Sequence, residues 1–134
     1  MKKHLLALAV TLAATGSVWA QASDTLAKIK SSGTVTLGVR ESSGLGYTLG
    51  NGKYVGFHTE MGERVLADIQ KQLGLAKLDI KYQPVTSQNR IPLVTNGTVD
   101  LECGSTTNNA ARQKDVAFAV TTYVEEVRIA VKAN

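Results

Sequence analysis

Cysteine is almost missing from this chain of 134 residues: Cys103 stands alone, so no disulfide can close within it. Histidine is nearly as scarce, with only His4 and His58. Neither a paired-cysteine nor a His-x3-His spacing exists, which leaves no pattern for a bound metal ion. Prolines number two and aromatic residues make up 5%, and no basic stripe interleaves with aromatic side chains, so a nucleic-acid surface is not expected. Apolar runs are short. The longest, Leu5 to Ala14, falls well below the roughly 20 residues that span a bilayer. No heptad pattern, low-complexity tract or internal repeat occurs. What remains is the composition of one soluble globular domain, 43% apolar and 19% charged.

The formal charge of +4 is partly an address. Lys2 and Lys3 precede the apolar run, and Gly16, Ser17, Val18, Ala20 and Ala22 follow it with small residues. This is the three-part pattern of a secretory signal peptide. Residues 1–22 are therefore expected to be a leader, cut after Ala20 or Ala22, with 23–134 as the domain. Of the fifteen basic residues two leave with the leader, so thirteen face eleven acidic ones and the excess falls to +2. The expected destination is the periplasm, and Cys103 is expected to be a small core residue.

Beyond the leader, β-like and helical runs alternate. Ser23 or Asp24 can cap a helix through about Lys30 with Leu26 and Ile29 on one face. Thr34 to Val39 reads as a buried strand. Asn51-Gly52 predicts a hairpin turn feeding Tyr54 to Phe57. His58 to Leu73 carries Met61, Val65, Leu66, Ile69 and Leu73, an amphipathic helical stripe that stops at Gly74. Lys77 to Tyr82 predicts a strand, Thr86 or Ser87 the cap of a short helix ending at Gly97, and Val99 to Cys103 another strand. A short polar helix over Asn108 to Lys114 and β-like runs at Val116 to Phe118 and Tyr123 to Val131 complete the pattern. The order argues for an α/β sheet with crossover helices.

Catalytic chemistry has little to draw on. A Ser/His/Asp set would need His58, no Gly-x-Ser-x-Gly elbow exists, and nothing pairs Cys103 with a base. Eight of the twelve glycines fall between Gly33 and Gly62, yet their spacing fits neither the Walker nor the dinucleotide pattern, so turns are their expected role. Small polar and cationic groups gather at element ends instead. Arg40, Ser42 and Ser43 follow the first strand. Thr86, Ser87 and Arg90 lie on the entry to a short helix, and Ser105, Thr106 and Thr107 follow a later strand. In open α/β sheets ligands bind at the carboxyl ends of strands, and guanidinium groups match carboxylates with paired hydrogen bonds. The three clusters suit a small molecule with two anionic ends.

The segments VTLGVRESSG, YVGFHTEMGERV, VTSQNRIPLVTNGTVDLECGSTTN and RQKDVAFAVTTY together resemble the amino-acid-binding proteins of bacterial ABC importers, glutamate/aspartate branch, from about Thr25 to Lys132. The resemblance implies a type II periplasmic-binding-protein fold of two lobes, of which this chain holds most of the first and is incomplete at its C-terminal end. It implies no cofactor, no enzymatic activity, a monomer, and as partners an acidic amino acid and a membrane permease. By motif position, Arg90 is implied to clamp the α-carboxylate, Ser105 and Thr107 with Thr106 to hold the carboxylate and amino ends, and Arg40 with Ser87 to meet the side-chain carboxylate. Where many relatives have Pro-Phe, this chain has Gly44-Leu45. Two other readings attach to the same fold: a periplasmic dehydratase of the cyclohexadienyl or arogenate kind, with His58, Glu41 or Glu102 as acid/base, and an extracellular sensor domain. One lobe offers half of the ligand contacts, so weak binding by this chain alone is expected.

Overall fold

The computed structural model describes residues 24–126 and 128–132; the expected leader, 1–22, lies outside them. Helix α1 (Thr25–Ser32) starts where Asp24 Oδ1 accepts the amide hydrogens of Leu26 and Ala27, each at 3.1 Å, a side-chain cap that satisfies two otherwise free donors. Ile29 is buried, but Leu26 is 49% exposed. An eight-residue helix resting on a strand buries a single row, and Ile29 fills it.

Strand β1 (Thr34–Val39) has the bounds its β-branched run predicts. It lies between β4 (Asp79–Pro84) and β5 (Leu101–Cys103), parallel to both. Covered on both flanks, it buries Val35, Leu37 and Val39 almost completely, as expected of a central parallel strand. Each contributes about 1.5–3 kcal/mol by leaving water. Ile29 and Leu66 join them, with Ile69, Leu73, Ile80 and Leu101 packed around.

Between β1 and β4 run a hairpin, β2 (Tyr47–Gly50) with β3 (Lys53–Val55), and helix α2 (Phe57–Gln72). The hairpin turns at Asn51 and Gly52, both at positive φ (52° and 73°), the backbone that two-residue turns between twisted strands require. Tyr54 stacks on Tyr82 of β4 at 5.7 Å, and the Tyr82 hydroxyl donates to Glu63 Oε1 at 2.5 Å.

The buried face of α2 is rotated from the expected stripe. His58, Thr59, Gly62 and Leu66 are buried, while Val65 is 44% exposed. Gly62 sets that rotation: a Cβ there would stand 3.0 Å from Leu37 Cδ1 and 3.1 Å from Cys103 Cβ. The helix lies so close to the sheet that any larger residue at 62 would push these neighbours aside.

The chain next forms α3 (Arg90–Thr95). This helix begins later than a cap at Thr86 or Ser87 implies. The Thr86 amide donates to Asn89 Oδ1 (2.7 Å) and the Asn89 amide to Thr86 Oγ1 (3.3 Å), so both side chains build the preceding turn. Asp100 then fastens the start of β5. Its buried carboxylate accepts from Lys28 Nζ at 2.8 Å and from the Thr36 amide at 2.9 Å, joining α1, β1 and β5.

The expected polar helix at Asn108–Lys114 reduces to one 3-10 turn, Arg112–Lys114. The runs at 116–118 and 123–131 form no strand among the described residues. Val120, Val124, Ile129 and Val131 are 83–90% exposed. A β-branched run becomes a strand only where a neighbour supplies ladder partners and a surface to pack on.

Candidate functional site

Because all three sheet strands run parallel, their carboxyl ends share one edge. Val39 is in register with Pro84 on one side and with Cys103 on the other. The residues that follow, Arg40, Val85 to Ser87 and Gly104 to Thr107, therefore emerge side by side. The strand order β4-β1-β5 also reverses direction at β1, the point at which open α/β sheets leave a crevice.

Arg40 and Ser87 are brought together: the Arg40 guanidinium Nη1 donates to Ser87 Oγ. They line a cleft of about 450 Å³ with Val39, Tyr54 and Val85. Arg90, the first residue of α3, lies in the wall behind this edge with only 5% of its surface exposed. Among the described residues its Nε and Nη1 atoms are buried with no hydrogen-bond partner, as is Arg40 Nε. Burial pushes the Arg90 guanidinium below its ordinary pKa; Glu102 opposes that shift, and Arg40 and Arg112 reinforce it. An arginine remains charged regardless. Arg90 is thus an under-solvated cation among other cations, a group that gains from an incoming anion.

Arg112 was not singled out by sequence reasoning. Its Nη1 donates to the Thr107 carbonyl at 2.9 Å and steadies the loop that carries Ser105 to Thr107. The available signal was an arginine five residues past Thr107, but in the polar stretch RQKD it reads as a solvated helix face. Ser105 and Thr106 are half-buried and Thr107 is exposed. Thr106 Oγ1 donates to Glu102 Oε2 at 2.8 Å. Among the described residues no hydrogen bond joins Ser105 to Arg40, Ser87 or Arg90.

Beneath the edge lie His58 and Cys103. Burial lowers the His58 pKa below its ordinary 6.5, with Glu102 and Glu125 pulling the other way. Its ring sits near Phe57 (5.4 Å) and edge-on to Tyr123 (6.4 Å), and its Nδ1 has no partner among the described residues. Burial, reinforced by Glu102, pushes the Cys103 thiol up to about 11, so it stays protonated and unreactive at neutral pH. Among the described residues no three His, Cys, Asp or Glu side chains converge as a metal ion requires, and no helix is long and apolar enough to cross a membrane. The edge can hold a small anion from several sides.

Residues 35–134 match the model of the bacterial extracellular solute-binding proteins, family 3. An L-glutamate/L-aspartate-binding protein of Pseudomonas aeruginosa is 52% identical over 98 residues, covering 72% of this chain and 32% of its own length. The glutamate/aspartate import solute-binding protein of Escherichia coli is 42% identical over 128 residues, 95% of this chain and 42% of its own. This chain thus spans between 32% and 42% of the length of these relatives. Among solved structures, the L-cysteine receptor of Neisseria gonorrhoeae superposes with a TM-score of 0.61 at 28% identity, over 71% of this chain and 37% of the receptor. Domain 1 of the arginine-binding protein TmArgBP superposes at 0.60 with 23% identity, over 73% of this chain and 71% of that domain, and shares the fold.

Proposed function

The chain belongs to family 3 of the bacterial extracellular solute-binding proteins, and from that premise we propose that it forms the first ligand-gripping lobe of a monomeric periplasmic protein that captures glutamate or aspartate for an ABC permease. The observation that carries this reading is the cationic edge: Arg40 bonded to Ser87 over the cleft, with Arg90 buried behind it and short of partners. Two guanidinium groups at different depths suit a ligand with two carboxylates. In this reading Arg90 takes the α-carboxylate, and Ser105 and Thr107 the carboxylate and amino ends. Arg40 and Ser87 take the side-chain carboxylate, while Thr106 supports the loop from below. A signal peptide over 1–22 would deliver the protein to the periplasm.

The test is a thermal-shift panel of the twenty amino acids on the full-length protein. Glutamate or aspartate at a hundredfold excess over Kd should stabilise it by about 2.7 kcal/mol. Stabilisation by neutral or basic amino acids alone would overturn the acidic specificity. Arg40→Ala should erase the preference for glutamate over glutamine.

A further inference from the structure

Glu102 is the carboxylate that opposes the neighbouring arginines at Arg90, while Glu41 lines the cleft beside Arg40. Arg40 and Arg112 both lie within electrostatic range of Arg90, and a pocket walled by guanidinium groups alone takes any dicarboxylate of suitable length. Glu102 stands in the middle of the short strand β5, in range of Arg90. One of its oxygens is held by Thr106, and the other, Oε1, is buried with no hydrogen-bond partner among the described residues. Its seat is built into the backbone: a Cβ on Gly104 would stand 2.3 Å from Oε1 and 3.4 Å from Arg40 Cβ. A buried carboxylate oxygen without a donor is costly, and here it lies against Gly104, whose other neighbour is the stem of an arginine that lines the cleft.

Resting on the reading of this edge as an acidic amino-acid site, we propose that Glu102 is a specificity-determining residue, admitting ligands that bear an ammonium group beside their carboxylates and rejecting dicarboxylates that lack one. A ligand with two carboxylates and an ammonium presents one net negative charge, and its cation offsets the field of Glu102. A plain dicarboxylate presents two negative charges with nothing to offset that field in a partly desolvated pocket. Glu102 acts through this field and through Thr106, so it is a positioning residue for the arginine cluster.

The experiment titrates the full-length protein with glutamate and with glutarate, its analogue without the ammonium, by calorimetry. The wild type should bind glutamate at least about a hundredfold more tightly. E102Q keeps an acceptor for Thr106 but loses the charge. It should shrink that ratio at least about tenfold, chiefly by tightening glutarate, whereas E102D should preserve it. An E102Q ratio within about threefold of the wild type overturns the proposal. If E102Q does not fold, Gly104→Ala, which displaces the carboxylate, gives the same reading. If the wild type binds neither compound, the acidic amino-acid reading falls separately and sulfate decides. Greater thermal stabilisation of E102Q than of wild type by sulfate supports the role of Glu102, and equal stabilisation overturns it.

Discussion

Replacing Arg90 by methionine should move stability and affinity in opposite directions. The side chain is 5% exposed, and among the described residues two of its three guanidinium nitrogens are buried without partners. Leaving a buried polar group unmade costs about 1–3 kcal/mol, more when it is charged. The neighbouring arginines add repulsion that Glu102 only partly offsets. Methionine keeps the apolar stem and removes the charge, so the ligand-free protein should gain about 1–2 kcal/mol. At about 2–8 °C per kcal/mol for domains of this size range, the melting temperature should rise by several degrees. A guanidinium clamp on a carboxylate makes two charge-assisted bonds of about 1.5–3 kcal/mol each, so glutamate affinity should fall at least about a hundredfold. Scanning fluorimetry without ligand, paired with calorimetric titration of glutamate, reads both. A ligand-free melting temperature lowered by more than about 3 °C, or an affinity within tenfold of wild type, refutes the assignment of Arg90 as a cation kept waiting for an anion.

Gly62→Ala should destabilise despite the gain of about 1 kcal/mol in helix propensity, because its methyl meets Leu37 and the Cys103 Cβ at 3.0–3.1 Å and overpacking costs about 1–3 kcal/mol. In a Leu37→Ala background the sign should reverse, as read from urea midpoints. His58 has a folded pKa below its ordinary 6.5, so the unfolded chain binds the extra proton. Its contribution to stability is complete above pH 6.5 and is lost as the pH falls toward and through the lower folded value. His58→Gln should therefore reduce the drop in melting temperature between about pH 7.5 and pH 5.5. Asp100→Ala should cost about 2–3 kcal/mol, from loss of its bonds to Lys28 and the Thr36 amide, and accelerate hydrogen exchange at Thr36.

Local chemistry was legible where it is decided locally. Asp24 as a cap, β1, and the Asn51-Gly52 turn follow from residues within a few positions of one another. The placement of Arg40, Ser87 and Ser105 to Thr107 at strand ends followed from periodicity alone. What escaped was set by tertiary contact. The depth of Arg90 depends on α3 packing against β5, and in TSQNR it reads as one more polar residue. The rotation of α2 depends on Gly62 meeting Leu37. The β-branched residues between Tyr123 and Val131 express a preference that needs a ladder, and among the described residues none is offered.

The central position of β1 has a kinetic side. Arg40 meets Ser87 across 47 positions, and Thr36 meets Asp100 across 64. Closing such loops costs entropy before any contact repays it, and folding slows as contacts become less local. The hairpin and α2 can form early from near neighbours, but the three clusters of the cleft meet only when β5 docks. Ligand response should therefore vanish in partly folded populations whose helical signal is still intact, which makes binding a more sensitive gauge of native assembly than secondary structure.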